Sequence, residues 1–125
     1  MPRADIRMTD EETRAFLAEK HEVVVVANDA GGAPIATVAP YAFEDDVIVV
    51  SLATDDPVVA ALNHDDRVCV VAEQFPSYFE VRSVVVHGRA DLSAAVTEDG
   101  RRAMRVPLGD DTVTFDFAKM QPPAD

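Results

Sequence analysis

One stretch near the middle of the chain, SLATDDPVVAALNHDDRV (residues 51–68), decides how the sequence divides into strands and helices. It begins as the end of a β-strand and then passes through two aspartates and a proline. An Asp at the N-cap and a Pro in the first turn are typical of a helix start, so a short helix is predicted to begin at Asp55–Pro57. An acidic turn then leads into RVCVV, a β-branched run that predicts the next strand.

The segments on either side of this stretch predict mostly strands. Residues 8–22 predict a helix, since Thr9 and Glu12 have the spacing of a capping box. The segment SAAVTEDGRRAM (residues 93–104) predicts a helix or a helical turn. Runs of β-branched residues between Gly, Pro and Asp predict strands over residues 22–29, 35–43, 47–53, 67–74, 80–92 and 110–120. Within the second strand, Pro40 marks an edge, a bulge or a ligand-facing break.

These elements predict a mainly β (α+β) fold, a six-stranded antiparallel split β-barrel with short peripheral helices. The 125 residues are enough for a single domain, 1–125, whose last residues, 119–125, are predicted to form a frayed tail. Two segments, Val23–Val26 and Val84–Val86, are apolar on both strand faces. Because one small barrel cannot bury both faces, we expect a homodimer.

The net charge of -12 excludes a nucleic-acid-binding role, which needs a basic face, and disfavours binding to anionic membranes. The sequence has no apolar run of about 18 residues, the length of a membrane span. Its N-terminus lacks the pattern of a signal peptide, so a cytoplasmic protein is expected. The acidic surface is typical either of an Asp- and Arg-rich proteome or of a high-salt cytoplasm, and the sequence leaves both open.

The sequence contains none of the common catalytic signatures. It has no glycine-rich phosphate loop, no HExxH and no CxxC motif. The three histidines, His21, His64 and His87, do not have metal-ligand spacing. The lone Cys69 has no partner for an internal disulfide. We therefore predict neither a metal site nor a particular catalytic residue.

Two segments carry a resemblance to a known family: NHDDRVCVV (residues 63–71) and RSVVVHGRADL (residues 82–92). In their order along residues 9–92 they resemble the pyridoxamine-5'-phosphate-oxidase-like flavin-binding split barrels, including the nitroimidazole-resistance-like and deazaflavin-dependent reductase branches. The resemblance implies a dimer with a flavin in each groove between subunits. It also implies that Arg or Lys in the turn after the third strand hold the cofactor phosphate.

The resemblance implies cofactor contacts at seven positions of this chain. The positions on the second strand would contact the flavin ring, and those at the end of the third strand would contact the ring and the ribityl chain. On the fifth strand they fall where the family often has polar ring or phosphate contacts. The seven positions are Thr37, Val38, Ala39, Val50, Ser51, Arg82 and Ser83.

The turn after the third strand departs from the family pattern. Pro57 and Val58 stand about where an Arg-Lys pair is expected, and Asp55 and Asp56 add negative charge to the same turn. Ala36 stands where some family members have an arginine. The expected phosphate-binding cations are therefore missing from this turn.

Two functions are compatible with these observations. The first is an oxidoreductase that binds FMN or a deazaflavin in the intersubunit groove and passes a hydride to a small organic substrate. The alternative is a degenerate split barrel without flavin, which acts as a non-catalytic ligand-binding or dimeric interaction module. The fold favours the first function, and the acidic turn favours the second.

Overall fold

The computed structural model describes residues 5–77, 80–109 and 111–120, which form two α-helices and seven β-strands. A short 3-10 helix, Phe117–Met120, follows the last strand. The order of elements is α1 (Asp10–Glu19), β1 (Glu22–Asn28), β2 (Pro34–Glu44), β3 (Val47–Ala53), α2 (Pro57–His64), β4 (Arg67–Gln74), β5 (Arg82–Arg89), β6 (Arg101–Pro107) and β7 (Thr112–Asp116).

The strands form one antiparallel sheet in the order β6-β3-β2-β1-β4-β5-β7. The sheet closes on itself because Asp91, just beyond β5, pairs with Arg105 of β6 through two backbone hydrogen bonds of 2.9 Å. Strands β1 to β6 thus enclose the barrel, and β7 extends the sheet from β5. The predicted mainly β split-barrel fold is confirmed, with seven strands rather than six.

The second strand changes its partner at Pro40. Residues 34–40 pair with β1, whereas residues 41–44 pair with β3. Proline has no N–H to donate, so it suits a position where one ladder ends and the next begins. At Pro40 the structure shows a change of partner within one continuous strand, and whether this position faces a ligand stays a prediction.

The interior of the barrel follows from strict alternation along the strands. In β3, Ile48, Val50 and Leu52 are fully buried, and Met104 and Val106 face them from β6. Helix α1 adds Phe16 and Leu17 to the same core. The capping box predicted for α1 is present, since the Glu12 amide donates to Thr9 and the Glu12 carboxylate accepts from the Thr9 amide.

Two predictions near the C-terminus were wrong. Residues 93–104 form no helix; a turn at Gly100, whose φ is 75°, leads into β6 at Arg101. Gly tolerates this conformation, and the inward-facing Met104 and Val106 then favour a strand.

Lys119 and Met120 lie in the 3-10 helix rather than in a frayed tail, because the Lys119 ammonium donates to the Arg7 carbonyl and to the Glu12 carboxylate. The remainder of the predicted tail, 121–125, lies outside the described residues.

Neither helix in the described ranges is long and apolar enough to cross a membrane.

Candidate functional site

The barrel is open between two strand segments whose outer edges have no partner strand among the residues that the structure describes. Residues 34–39 of β2 pair only with β1, and Ser51–Ala53 of β3 pair only with β6. We call this opening the split. Beside the split lies a cleft of about 300 Å³. Apolar residues of β2 and β3 line the cleft, and Ser51, Thr97, Arg101 and Arg102 contribute polar groups to it.

Arg101 is fixed to the end of β3. Its Nε donates to the Ser51 hydroxyl at 2.9 Å, and a terminal nitrogen donates to the Ser51 carbonyl at 2.5 Å. The preceding turn is held by the Thr97 hydroxyl, which accepts from the Arg101 amide at 3.1 Å. The Thr54 amide also donates to the Gly100 carbonyl at 3.0 Å, so this turn is joined to the segment after β3. These contacts hold the guanidinium at the edge of the cleft.

Arg102 also lines the cleft, but successive residues of a strand point to opposite faces, so Arg102 lies on the inward face of β6 and Arg101 on the outward face. The cross-strand partner of Arg102 is Leu52, a fully buried residue of β3. The Nε of Arg102 is buried and has no hydrogen-bond acceptor among the residues that the structure describes. A buried donor without an acceptor is uncommon in folded proteins, because it costs about 1–3 kcal/mol.

The ion pairs of the described residues leave both cleft arginines without a carboxylate within 4.0 Å. Four other arginines, Arg7, Arg14, Arg67 and Arg89, each pair with an aspartate. The chain has 23 acidic and 11 basic residues, so carboxylates are abundant. Arg101 and Arg102 are thus adjacent cations whose charge the described part of the chain does not neutralise by a direct ion pair.

The turn after β3 does not offer a phosphate site of its own. Asp56 is the N-cap of α2, and its carboxylate accepts a hydrogen bond of 2.9 Å from the Val58 amide. Its carbonyl accepts from the Val59 amide. The Val58 side chain is buried in the core, so that position cannot present a cation to a ligand. The helix start that would attract an anion is already occupied by a carboxylate of the chain.

Four of the seven predicted cofactor positions lie at the split, and of the seven only Val50 and Ser51 line the cleft. On β2, Thr37 is half-buried, Val38 is 62% exposed and Ala39 is buried. On β3, the Val50 side chain is fully buried in the core, while Ser51 is half-buried at the cleft. Ser51 uses its hydroxyl to orient Arg101, a role that the sequence did not suggest.

The other two predicted positions lie elsewhere on the sheet. Strands β1 and β4 separate Arg82 and Ser83 of β5 from β2. Arg82 donates to Gln74 at 2.9 Å and stacks over the Phe16 ring at 5.2 Å. Ser83 is buried. A single chain therefore does not bring these two residues to the cleft.

Arg101 and Arg102, which line the cleft, were not among the predicted site residues. The signal was the dipeptide after Gly100, two consecutive cations in a strongly acidic chain. It was assigned to a helix, so its position beside Ser51 did not emerge. The contact joins residues 50 positions apart and follows only from the pairing of β3 with β6.

Two further side chains near the sheet surface are poor acid–base groups. Tyr41 lines the cleft and donates its hydroxyl to the Leu17 carbonyl at 2.5 Å; burial raises the pKa of Tyr41 to about 12, so the phenol stays protonated. On β4, burial raises the pKa of the half-buried Cys69 thiol above its usual value. The described residues contain no group of three or more His, Cys, Asp or Glu side chains that could hold a metal ion.

Comparison with known proteins gives one family and many structural neighbours. The sequence profile of the pyridoxamine 5'-phosphate oxidase family matches residues 9–122. No protein of curated function matches the sequence. A conserved hypothetical protein from Mycobacterium tuberculosis superimposes with a TM-score of 0.80 at 20% identity, over 100% of this chain and 95% of the other.

Two more solved structures share the architecture. The FAD and heme binding protein from Mycobacterium smegmatis gives a TM-score of 0.72 at 17% identity, over 94% of this chain and 74% of the other. An F420 reductase gives a TM-score of 0.62 at 12% identity, over 77% of this chain and 92% of the other. At these identities the superpositions establish the fold alone.

Proposed function

Because the chain belongs to the pyridoxamine 5'-phosphate oxidase family, we propose that it binds a flavin-type cofactor, FMN or a deazaflavin, at the split of its barrel. A bound flavin would supply hydride transfer, and the second reactant would be a small organic molecule. The observation that carries the proposal is the cleft of about 300 Å³, which Pro40, Tyr41 and Ala42 of β2 line directly after the unpaired edge of residues 34–39.

The residues at the split suit a flavin chemically. A flavin ring needs an apolar surface and backbone donors near the ring atoms that gain charge on reduction. Ala42 and Val49 supply apolar surface in the cleft. In a strand bonded on one side only, alternate N–H and C=O groups point away from the partner, so residues 34–39 direct backbone donors and acceptors towards the split.

A second copy of the chain completes the proposed groove. Five valines form one cross-strand row on the outer face of the sheet, through the pairs Val38–Val24, Val24–Val71, Val71–Val85 and Val85–Val113. Val38 is 62% exposed and Val113 is 56% exposed. A contiguous apolar row of this kind favours burial against a self-complementary surface in a twofold dimer. The row begins at Val38, directly beside the split.

The assembly is tested by sedimentation of the purified chain and of the variant Val38→Glu. We expect the unaltered chain to sediment as a dimer at micromolar concentration. The variant should dissociate, because each interface would bury an unpaired carboxylate. The matched control is Ala36→Glu, one step along the same exposed strand face but outside the valine row. A well-folded monomer of the unaltered chain would contradict the shared groove.

Cofactor binding is tested by titrating FMN, FAD and coenzyme F420 into the dimer by calorimetry. We expect saturable binding of one cofactor per chain. Stopped-flow spectroscopy with a chemically reduced cofactor then tests hydride transfer to small electrophilic acceptors. A dimer that binds none of the three cofactors would contradict the proposal.

The acidic turn favours a second candidate, a dimeric module that binds a ligand without catalysis. Asp55 and Asp56 carry negative charge where the family resemblance implies phosphate-binding cations. The same experiments separate the candidates, since a dimer that binds none of the three cofactors would support the second.

A further inference from the structure

We propose that Arg101 and Arg102 of β6 form the anion subsite of this protein and hold the terminal phosphate of its cofactor in place of bases in the turn after β3. The inference deepens the proposed function, on which it rests, by naming the phosphomonoester as the group recognised. It places the phosphate on the side of β3 that faces β6.

Arg101 is already oriented for such a ligand. The two hydrogen bonds to Ser51 fix its guanidinium plane, and no other acceptor of this side chain is found among the described residues. A guanidinium has more N–H groups than these two contacts use, and its planar fork matches a phosphate. Because Ser51 immobilises the side chain before the ligand arrives, less entropy is lost on binding.

Arg102 supplies the second cation. Its Nε is buried without an acceptor among the described residues, and the side chain lines the same cleft as Arg101. That buried Nε is closed to a ligand; the terminal nitrogens of the same guanidinium would donate to a phosphate oxygen at the cleft in charge-assisted hydrogen bonds. Two adjacent unneutralised cations also match the charge of a phosphomonoester, which is close to -2 at neutral pH.

The alternative location is closed by the chain itself. Asp56 occupies the amides at the start of α2, and Val58 is buried in the core. The phosphate would nevertheless remain near this turn, since the Thr54 amide bonds to the carbonyl of Gly100, the residue before Arg101. The subsite has therefore moved across β3 rather than away from the split.

The test compares FMN with riboflavin, which has the same ring and ribityl chain but lacks the phosphate. Calorimetry at constant ionic strength is applied to the unaltered dimer and to Arg101→Gln, Arg102→Gln and Arg105→Gln. Arg105 is the matched control, because it is exposed on the same strand but does not line the cleft. We expect Arg101→Gln and Arg102→Gln each to weaken FMN binding by roughly tenfold to a hundredfold, with riboflavin binding changed less than about twofold.

Riboflavin binding also reports that each variant is folded. If Arg101→Gln and Arg102→Gln weaken FMN no more than Arg105→Gln does, the inference is overturned while the proposed function stands. If the unaltered dimer binds FMN and riboflavin equally, the inference is likewise wrong.

Inorganic pyrophosphate tests the subsite without a flavin ring. We expect saturable binding that shifts the side-chain N–H resonances of Arg101 and Arg102 and is lost in Arg101→Gln. If this holds while no flavin binds, the anion subsite is retained and the proposed cofactor is refuted. If neither pyrophosphate nor FMN binds, the subsite is overturned, and the proposed function is overturned with it only if FAD and coenzyme F420 also fail to bind.

Discussion

The turn after β3 and the turn before β6 lie side by side, joined by the hydrogen bond from the Thr54 amide to the Gly100 carbonyl. The first carries Asp55 and Asp56 and uses Asp56 to start a helix. The second leads into Arg101 and Arg102 and opens a strand. The acidic turn satisfies its own helix start, whereas the two arginines lack carboxylate partners among the described residues. Two turns in contact thus differ in charge: the first carries two carboxylates and the second leads into two arginines without carboxylate partners among the described residues.

The largest expected effect concerns Val58, the residue that stands where the family resemblance implies a cation. Val58→Lys should lower the free energy of unfolding by about 3 kcal/mol or more, because it places a charge in the core. Ala60→Lys, at an exposed position of α2, is the control and should change stability by less than about 0.5 kcal/mol. Chemical denaturation of both variants measures the difference. Equal stability would show that the acidic turn can still accept a phosphate-binding lysine.

The comparison also shows what the sequence can predict. The bounds of β3 and β4 were predicted correctly, as 47–53 and 67–74, because β-branched runs end at turn residues on both sides. Residues 93–104 were wrongly predicted as a helix, because the alternation of buried and exposed residues in β6 is short. Only Met104 and Val106 of this strand are buried, and the next inward position is a charged residue, Arg102. Local patterns specify an element well when its own residues form the core.

The candidate site depends on contacts that local patterns do not contain. Ser51 was predicted as a cofactor contact, but its partner Arg101 lies 50 residues away and reaches it through the pairing of β3 with β6. The cofactor roles of Thr37, Val38, Ala39, Val50, Arg82 and Ser83 stay predictions. Within one chain, β1 and β4 lie between β2 and the β5 residues Arg82 and Ser83 in the sheet order.

The next effect in size tests the cap of α2. Asp56→Ala should destabilise the protein by about 1 kcal/mol, because the Val58 amide loses its acceptor. Asp55→Ala removes the same charge from an exposed neighbour and should change stability by less than about 0.5 kcal/mol. Thermal unfolding at one pH measures both. If the two variants are equally stable, the Asp56 carboxylate does not stabilise the start of α2. The N-cap would then not explain why acidic residues occupy this turn.

A smaller effect concerns the affinity for a phosphate next to the acidic turn. The double change Asp55→Asn, Asp56→Asn keeps a good N-cap, since Asn caps as well as Asp, and removes two negative charges. We expect FMN to bind about threefold to tenfold more tightly, with riboflavin unchanged, because the two charges together cost on the order of 1 kcal/mol in water. Calorimetry of the two ligands gives the ratio. A parallel gain for riboflavin would mean that the phosphate lies away from this turn.

The smallest effect compares the two helix starts. Both begin with acidic residues, but Glu12 of α1 has a cation partner: its carboxylate accepts from the Lys119 ammonium at 2.6 Å and from the Thr9 amide at 2.9 Å. These hydrogen bonds lower the pKa of Glu12 from 4.5 to about 2, and the bond from Lys119 has the largest effect. Among the described residues, Asp56 has no cation within 4.0 Å.

The pH dependence of this cap follows from the sign of the shift. A carboxyl whose pKa is lower in the folded state binds its proton more tightly after unfolding, so its stabilising contribution is complete above pH 4.5 and is lost as the pH falls towards 2. Lys119→Ala should raise the pKa of Glu12 towards its ordinary value and move this loss to higher pH. Glu11→Gln, an exposed change in the same first turn, should leave the pKa of Glu12 nearly unaltered. Carbon-detected NMR titration of the Glu12 carboxyl measures all three proteins. A Glu12 that titrates near 4.5 in the unaltered chain would show that Lys119 does not neutralise the start of α1, and the contrast with the unpaired Asp56 would disappear.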